Sequence, residues 1–203
     1  MKTKTTHRLR PLAAALLLAL PLALPATASA QSWMVRLRAI DVAPNASSSI
    51  SGLDVEDQWA PELDFTYFFN KNVAAELILA TTRHEVTLNG TSLGKVSVLP
   101  PTLTLQYHFT DLGAVKPYVG AGVNVSWFYN DGLKLGSTEL GVDSTSVGAA
   151  LQVGVDYEIQ KNWFLDFDAK YIWQDTDVTA GGATVTKLDI DPWVWGIGIG
   201  YRF

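Results

Sequence analysis

The chain has 203 residues, with 15 lysines and arginines against 20 aspartates and glutamates, and it contains no cysteine. The formal net charge of −5 argues against nucleic acid as a partner, because phosphate binding needs a clustered basic surface. Without cysteine there are no disulfides, so stability must come from the fold itself.

The first 30 residues have the features of a cleaved secretory signal peptide. Four basic residues precede an apolar run from Leu12 to Leu24, and the small residues Ala28-Ser29-Ala30 form a cleavage site. The run is too short for a transmembrane helix. We predict a signal peptide at residues 1–30 and one exported domain at 31–203. Loss of the four basic residues moves the formal net charge from −5 to −9.

The exported part contains eight stretches in which apolar residues alternate with small or polar ones. This period of two is typical of strands with two unlike faces. The predicted strands cover residues 33–42, 58–69, 73–86, 96–109, 117–129, 143–158, 163–174 and 193–203. Their length suits strands that cross a membrane at a tilt. Pro100-Pro101 falls inside the fourth stretch and predicts a bulge or a local break in pairing, because proline cannot donate to the ladder.

The last stretch shows the pattern most clearly. Large apolar residues alternate with Val194, three glycines and Arg202. The large residues are Trp193, Trp195, Ile197, Ile199, Tyr201 and Phe203. Aromatic rings lie at both ends of this face and aliphatic residues in its middle, as in strands that face a bilayer. A soluble barrel is the alternative, but its narrow interior has no room for so many tryptophans and tyrosines.

The connections alternate between long and short, as in outer-membrane barrels with short periplasmic turns and longer outer loops. We therefore predict an all-β fold, an eight-stranded antiparallel transmembrane β-barrel in the outer membrane, with both termini in the periplasm. Outer-membrane lipid is the expected surrounding partner.

The inward positions divide into two groups along the barrel. Charged residues lie mostly toward the periplasmic half and form a predicted floor of Arg36, Arg38, Glu62, Asp64, Asp156, Asp166, Asp168, Lys170 and Arg202. Apolar residues lie mainly toward the outer half, at Ile40, Ile78, Phe128, Ile172, Ile190 and Val194. Hairpin arithmetic places Arg36 opposite Asp64 and Arg38 opposite Glu62. The floor is either a neutralising ion-pair network, a plug against water flow, or both; the apolar group is either a binding site or ordinary packing.

Several motifs make the sequence similar to the outer-membrane protein W (OmpW) family. They are Leu99-Pro100-Pro101-Thr102-Leu103, Gln106-Tyr107-His108-Phe109, Pro117-Tyr118-Val119-Gly120-Ala121-Gly122, Gln152-Val153-Gly154-Val155-Asp156-Tyr157, Asn162-Trp163, Leu188-Asp189-Ile190-Asp191-Pro192-Trp193 and Gly200-Tyr201-Arg202-Phe203. The family usually has a Pro-Phe pair before the histidine of strand three, where this chain has Ala80-Thr81-Thr82-Arg83-His84. That part of the wall is therefore expected to differ in shape.

The resemblance implies a narrow, largely hydrophobic lumen that passes small hydrophobic ligands from outside and releases them sideways into the membrane. Pro100 and Pro101 suit a lateral gap because they remove ladder donors. Tyr201 and Phe203 resemble the C-terminal aromatic signal that the barrel-assembly machinery reads.

The sequence offers little for catalysis. Paired carboxylates can do acid–base work, but here they are more simply partners for the inward arginines and Lys170. His84 and His108 are predicted to lie far apart along the barrel, and no cysteine is present to complete a metal site. We expect no enzyme activity and no cofactor or metal. The main prediction is passage of hydrophobic molecules; the alternatives are a structural or adhesive barrel with a blocked lumen and, less simply, a lipid-modifying enzyme.

Overall fold

The computed structural model describes residues 32–203. The signal peptide predicted for residues 1–30 lies outside this range, so its cleavage stays a prediction. No helix in the described range is long and apolar enough to cross a membrane.

The described chain contains sixteen strands. They are β1 (Trp33–Ala43), β2 (Ser47–Ser48), β3 (Leu53–Val55), β4 (Gln58–Phe68), β5 (Val73–Ala80), β6 (Thr82–Leu88), β7 (Thr91–Leu99), β8 (Thr102–His108), β9 (Val115–Tyr129), β10 (Leu133–Leu135), β11 (Thr138–Val142), β12 (Thr145–Gln160), β13 (Trp163–Ile172), β14 (Asp175–Ala180), β15 (Ala183–Asp189) and β16 (Trp193–Arg202).

Eight of these strands close into a barrel wall. In order around the wall they are β1, β4, β5, β8, β9, β12, β13 and β16, all antiparallel, and β16 pairs again with β1. The seam is completed at its end, where the Trp33 and Phe203 backbones donate hydrogen bonds to each other's carbonyls at 3.2 and 2.9 Å. Closure leaves no open sheet edge. Strands that cross a bilayer need this closure, because unpaired backbone groups cannot be satisfied in lipid. The predicted eight-stranded antiparallel barrel is confirmed.

The two ends of the barrel differ. At one end, tight turns join β4 to β5, β8 to β9 and β12 to β13, and we call it the short-turn end. The first turn is fixed by the Asn70 side chain, whose Oδ1 accepts backbone hydrogen bonds from Asn72 and Val73 at 2.8 and 2.9 Å. Asparagine favours turns for this reason. The opposite end carries the longer connections, and we call it the long-loop end.

The outward face of the wall is an apolar band between two aromatic belts. Leu103, Leu105, Val123, Leu151 and Ile197 are among the exposed aliphatic side chains of the band. Exposed rings at the short-turn end include Trp33, Tyr107, Phe109, Tyr157, Trp163, Tyr201 and Phe203, and those toward the long-loop end include Trp59, Trp127, Tyr129, Trp173, Trp193 and Trp195. From Phe203 to Trp193 the strand rises roughly 34 Å. A tilt of about 40° reduces this to about 26 Å along the axis, close to the usual height of such a band.

The long-loop end contains more regular structure than the sequence predicted. Residues expected to form loops instead form β2, β3, β10, β11, β14 and β15; β2, β10, β11, β14 and β15 make a separate five-stranded sheet. These strands are too short for periodicity to identify them, and they form because they share a core. Its buried members are Val55, Val86, Leu93, Val96, Val98, Phe128, Leu133, Val178, Leu188 and Ile190.

Gly122 of β9 lies opposite Thr104 of β8, and the two backbones are close together there. A Cβ atom added to it lies 1.9 Å from the Leu103 carbonyl oxygen and 2.7 Å from Thr104 Cα, both of which are backbone atoms that cannot move aside. Glycine is required there because the two backbones approach too closely for a side chain.

We predict that Gly122→Ala lowers the free energy of unfolding by about 2–3 kcal/mol or more, because overpacking strains the wall. Urea unfolding of the micelle-bound barrel, followed by tryptophan fluorescence, measures this. Gly132→Ala is the matched control, since a Cβ there meets nothing within 4 Å. Equal stability of the two variants would contradict the close approach.

Candidate functional site: a charged plug below an apolar cavity

A cluster of buried charges fills the barrel between the short-turn end and the middle of the lumen. Three cations, Arg36, Arg38 and Lys170, are buried with six carboxylates. The carboxylates are Glu62, Asp64, Glu76, Asp156, Asp166 and Asp168. We call these nine residues the charged plug. Each sits at an inward position of its strand because successive side chains alternate between the two faces of the wall.

Arg36 lies near the centre of the plug. Its Nη1 contacts Glu76 Oε1 at 2.9 Å and its Nη2 contacts Asp156 Oδ2 at 2.7 Å. Its Nη1 also donates a hydrogen bond to Thr66 Oγ1. One guanidinium therefore connects β1 to β4, β5 and β12.

Arg38 and Lys170 form the upper part of the plug. Arg38 donates hydrogen bonds to Asp64 and Asp166, and its Nη1 lies 3.2 Å from Glu62 Oε1. Lys170 Nζ contacts the same Glu62 oxygen at 2.7 Å and Asp168 Oδ2 at 2.8 Å. Buried charges are tolerated only when they are paired and hydrogen-bonded in this way.

Two neutral glutamine amides donate further hydrogen bonds to Glu76 and Asp168. Gln106 Nε2 donates to Glu76 Oε2 at 2.6 Å, and Gln152 Nε2 donates to Glu76 Oε2 and to Asp168 Oδ2 at 3.0 and 2.9 Å. Glu76 is thus held by two arginines and two glutamines.

The glycines of β16 make room for the arginines. A Cβ on Gly198 lies 2.7 Å from Arg38 Cγ, and a Cβ on Gly200 lies 3.1 Å from Arg36 Cγ. The alternation on this strand therefore has two causes. The large residues face outward in the apolar band, and the inward glycines leave space for the arginine side chains.

The sequence predicted the backbone register around these charges but not all of the ion pairs. Arg36 faces Asp64 and Arg38 faces Glu62 in the β1–β4 register, as predicted. The pairing of Arg36 with Asp64 is nevertheless wrong. Asp64 contacts Arg38, whereas Arg36 contacts Glu76 and Asp156. An arginine side chain is long enough to lean past the residue opposite and reach a strand farther along the wall.

Glu76 was absent from the predicted floor although it is central to the plug. Its position two residues before Ile78, on the same face of the strand, is the signal that could have found it. Arg202 was placed in the floor, and it lies at the lower edge of the plug with its guanidinium carbon 3.8 Å from the centre of the Phe68 ring.

An apolar cavity lies directly above the plug, toward the long-loop end. The space available to the centre of a water molecule is about 70 Å³, within about 840 Å³ of empty volume that includes open solvent. Glu62 and Lys170 form its floor, and the apolar lining includes all six residues that the sequence placed in the upper lumen: Ile40, Ile78, Phe128, Ile172, Ile190 and Val194. Their proposed contact with a ligand stays a prediction.

Further lining residues come from the long-loop end, and the sequence does not indicate a place in the lumen for them. They include Val55, Val86, Val96, Val98, Val142, Leu188 and Gln174. His84, which the sequence analysis considers only for catalysis, also lines the cavity. Val86 has the same parity as Ala80 on the third predicted strand, so alternation alone could have placed it inside. Val55 and Val142 could not be placed, because their strands were expected to be loops.

The wall is interrupted at Pro100-Pro101. Ladder pairing between β5 and β8 ends at Ile78 and Thr102, and pairing between β6 and β7 resumes at Thr82 and Val98. No ladder pair joins residues 79–81 to residues 99–101 within the described chain. The residue numbers of opposed residues add to the same value on both sides of the break, so neither strand has an extra residue there. The strand predicted as continuous over residues 73–86 is thus two strands.

The other side of the prolines is firmly attached. The Val125 N–H donates to the Pro101 carbonyl at 3.0 Å, and Asn124 Nδ2 donates to the carbonyls of Pro100 and Pro101 at 3.1 and 3.3 Å. The break therefore lies only between the third and fourth strands of the wall. No sequence pattern singles out Asn124 for this role.

The two histidines occupy separate environments. His84 lines the cavity, beyond the aromatic belt of the long-loop end, with its ring nitrogens 2.9 Å from the Glu56 carbonyl and from Thr82 Oγ1. Burial lowers the pKa of His84, so it is neutral at pH 7. His108 lies below, stacked on Tyr118 with ring centres 4.9 Å apart. Among residues 32–203, no group of three or more histidines and carboxylates is arranged to hold a metal ion.

The C-terminal aromatics face the outside of the wall. Tyr201 and Phe203 are exposed at the short-turn end with ring centres 6.3 Å apart. Their recognition by the assembly machinery stays a prediction.

A closed antiparallel wall, an apolar outer band with two aromatic belts and a polar plug inside define a membrane β-barrel. A model of the OmpW family matches residues 29–203, and the chain belongs to this family. It is an outer-membrane protein, as the named relatives below are.

The relatives cover most of the chain. An uncharacterised outer-membrane protein of Sinorhizobium fredii is 48% identical over 94% of this chain and 90% of its own length. Outer membrane protein W of Escherichia coli is 36% identical over 82% of this chain and 84% of its own length. The crystal structure of OprG from Pseudomonas aeruginosa superposes with a TM-score of 0.77 at 30% identity, covering 86% of this chain and 96% of OprG.

The charge balance of the plug predicts that removing a cation destabilises the barrel more than removing a carboxylate. It holds six carboxylates and three cations, so removal of a cation leaves several buried negative charges without compensation. We predict that Arg36→Met lowers the free energy of unfolding by about 3–5 kcal/mol, the range for breaking a buried ion pair. Denaturant unfolding in micelles measures it.

Two further variants sharpen this test. Asp64→Asn should cost far less than Arg36→Met, since Asp64 Oδ1 has no hydrogen-bond partner in the described residues and the change lowers the negative excess. Lys134→Met, in an exposed pair 3.5 Å from Glu139, should change stability by less than about 1 kcal/mol. A smaller loss for Arg36→Met than for Asp64→Asn would contradict this account of the plug.

Proposed function

We propose that the barrel takes up small hydrophobic molecules at its long-loop end, holds them in the apolar cavity and releases them sideways into the membrane between the third and fourth strands of the wall. The observation that carries this proposal is the position of the strand break at the level of the cavity floor. Ala80, beside the break, pairs across β4 and β5 with Glu62 of the plug.

The plug supports a sideways route because it obstructs passage along the axis. Asp64, Glu76 and Asp166 are fully buried and are tied together through the guanidinium groups of Arg36 and Arg38. Moving a hydrophobic molecule past them requires breaking several buried ion pairs at once, which costs far more than leaving the cavity elsewhere. A molecule stopped at Glu62 and Lys170 lies beside the break.

The break supports an exit because widening it breaks few backbone hydrogen bonds. Pro100 and Pro101 have no N–H to donate, and residues 79–81 and 99–101 share no ladder pair. Pro100 also lines the cavity, so a path through the break starts inside the binding space. Asn124 holds the proline carbonyls to the neighbouring strand, which confines any opening to one side.

The proposal also includes the orientation of the barrel in the membrane and a route without catalysis. Short turns at one end and long connections at the other favour an arrangement with the short-turn end and both termini in the periplasm. The route needs no catalytic step, since the plug carboxylates are engaged with arginines, Lys170 and glutamines. A structural or adhesive barrel acting through its long-loop sheet is the alternative.

We predict that Phe128→Asp reduces uptake of a hydrophobic dye into proteoliposomes several-fold, because a buried carboxylate is unfavourable in the apolar lining. Uptake is measured against empty liposomes, with folding checked by the mobility shift of the heated and unheated barrel on gels. Leu112→Asp, in an exposed short turn, is the control and should transport normally. Full uptake by folded Phe128→Asp would exclude this cavity as the route, and wild-type uptake equal to that of empty liposomes would favour the structural alternative.

The exit is tested by closing it covalently. The register shared by the pairs Ile78–Thr102 and Thr82–Val98, extended across the break, places Ala80 opposite Pro100. The double variant Ala80→Cys, Pro100→Cys should lose most dye uptake when the disulfide forms and regain it on reduction. The chain has no other cysteine, so the bond is unambiguous.

The matched control is Leu77→Cys, Leu103→Cys, an opposed pair on the lipid-facing side of the wall where β5 and β8 are already paired. Its disulfide should leave uptake unchanged. Uptake that is insensitive to the bond between positions 80 and 100 would exclude this exit.

A further inference from the structure

Gln174 presents an unpartnered amide to the apolar cavity. The side chain is only 6% exposed and belongs to the cavity lining. Its Nε2 is buried and has no hydrogen-bond partner among residues 32–203. A buried N–H without an acceptor is unfavourable, so such a group is uncommon unless something else binds it.

The backbone fixes this amide in place. The Gln174 N–H donates to Asp191 Oδ1 at 2.9 Å, and its carbonyl accepts hydrogen bonds from the N–H groups of Ile190 and Asp191 at 2.8 and 3.2 Å. Asp191 holds a positive φ of 37°, a conformation uncommon outside glycine. The Asp191 corner therefore anchors Gln174 on three backbone hydrogen bonds and leaves its side chain in the lumen.

The other uncharged polar groups of the cavity already have partners. His84 contacts the Glu56 carbonyl and Thr82 Oγ1, Thr102 Oγ1 donates to the Pro100 carbonyl, and Thr176 Oγ1 donates to the Asp143 carbonyl. The Gln174 amide thus differs from these groups in having a donor available to a ligand.

We propose that Gln174 is a specificity-determining residue, and that the cavity favours neutral molecules with an apolar body and one hydrogen-bond acceptor, such as ketones, esters or alcohols, over plain hydrocarbons. This rests on the proposed function, since it concerns the same cavity. The acceptor binds the Gln174 Nε2–H, and the apolar body packs on Ile172 and Ile190. Ile172 ends β13 two residues before Gln174, and the Ile190 N–H donates to the Gln174 carbonyl from across the wall.

The charge of the floor explains why the favoured ligand is neutral. The plug below has six carboxylates for three cations, and Lys170 at the floor is already bound by Glu62 and Asp168. A ligand carboxylate would add another negative charge to this excess. Gln174 follows Lys170 by four residues, just beyond the end of β13, and four residues of extended chain span roughly 13 Å, so the polar contact is made away from the floor.

Nuclear magnetic resonance of the barrel in micelles tests the contact with two probes of equal chain length, undecane and 2-undecanone. The methyl resonances of Ile172 and Ile190 report entry of either probe. The Gln174 side-chain amide resonance, assigned by its loss in Gln174→Met, should shift with 2-undecanone and not with undecane.

Affinities are compared between variants, because both probes also dissolve in the micelle. Gln174→Met should weaken 2-undecanone binding roughly three- to tenfold, the size of one hydrogen bond, and leave undecane binding unchanged. Gln160→Met, the same substitution at an exposed position of the short-turn end, should leave both affinities as in the wild type.

The outcomes separate the two proposals. One outcome is that both probes shift the methyl resonances, but Gln174→Met weakens the affinity for both probes equally or for neither. This would overturn the role of Gln174 and leave the proposed function standing. An absence of methyl shifts with either probe in the wild type would overturn the proposed function, and the role of Gln174 with it.

Discussion

The structure depends on two arginines that cross the interior of the barrel. Arg36 and Arg38 extend from β1 and contact carboxylates of β4, β5, β12 and β13, so one strand is tied through the lumen to four others. Removing these charges from water is expensive, and the expense is offset only because each guanidinium has several acceptors. The same requirement explains the glycines of β16, since larger residues at Gly198 and Gly200 would overlap the arginine side chains.

The plug divides the lumen into two chemically different regions. Below it, Phe68, His108, Tyr118 and Phe164 pack together at the short-turn end. Above it, aliphatic residues line an open cavity that continues into the core of the long-loop sheet. The strand break is level with this boundary, because Ala80 beside the break pairs with Glu62 of the plug. The charged plug, the apolar cavity and the strand break therefore adjoin one another at this boundary.

The sequence predicted the wall well because alternation is a strong signal in long strands. It also predicted the β1–β4 register, since a hairpin fixes opposed residues by their number sum. It failed where the outcome depends on reach or on shared burial. The Arg36 side chain passes Asp64 to bind Glu76 and Asp156, and no rule about opposed residues could show this. The short strands β10 and β11 exist because Leu133 and its neighbours bury one another, which appears only once the long-loop end is assembled. Gln174 could not be identified because it lies between β13 and β14, where alternation alone does not tell a lumen residue from a loop residue.

The cavity is also part of a hydrophobic core, which raises the question of why it is not filled. Phe128, Val86 and Val98 stabilise the long-loop end by their burial whether or not a ligand enters. Packing alone, however, favours the removal of voids. Empty space inside a core is unfavourable, because the atoms that line it lose contacts. One larger side chain at Ala80 or Val42 would remove part of it, and both residues line the space. Ala80, a small residue beside the strand break, keeps this space open, and such an opening is what the proposed uptake of hydrophobic molecules requires.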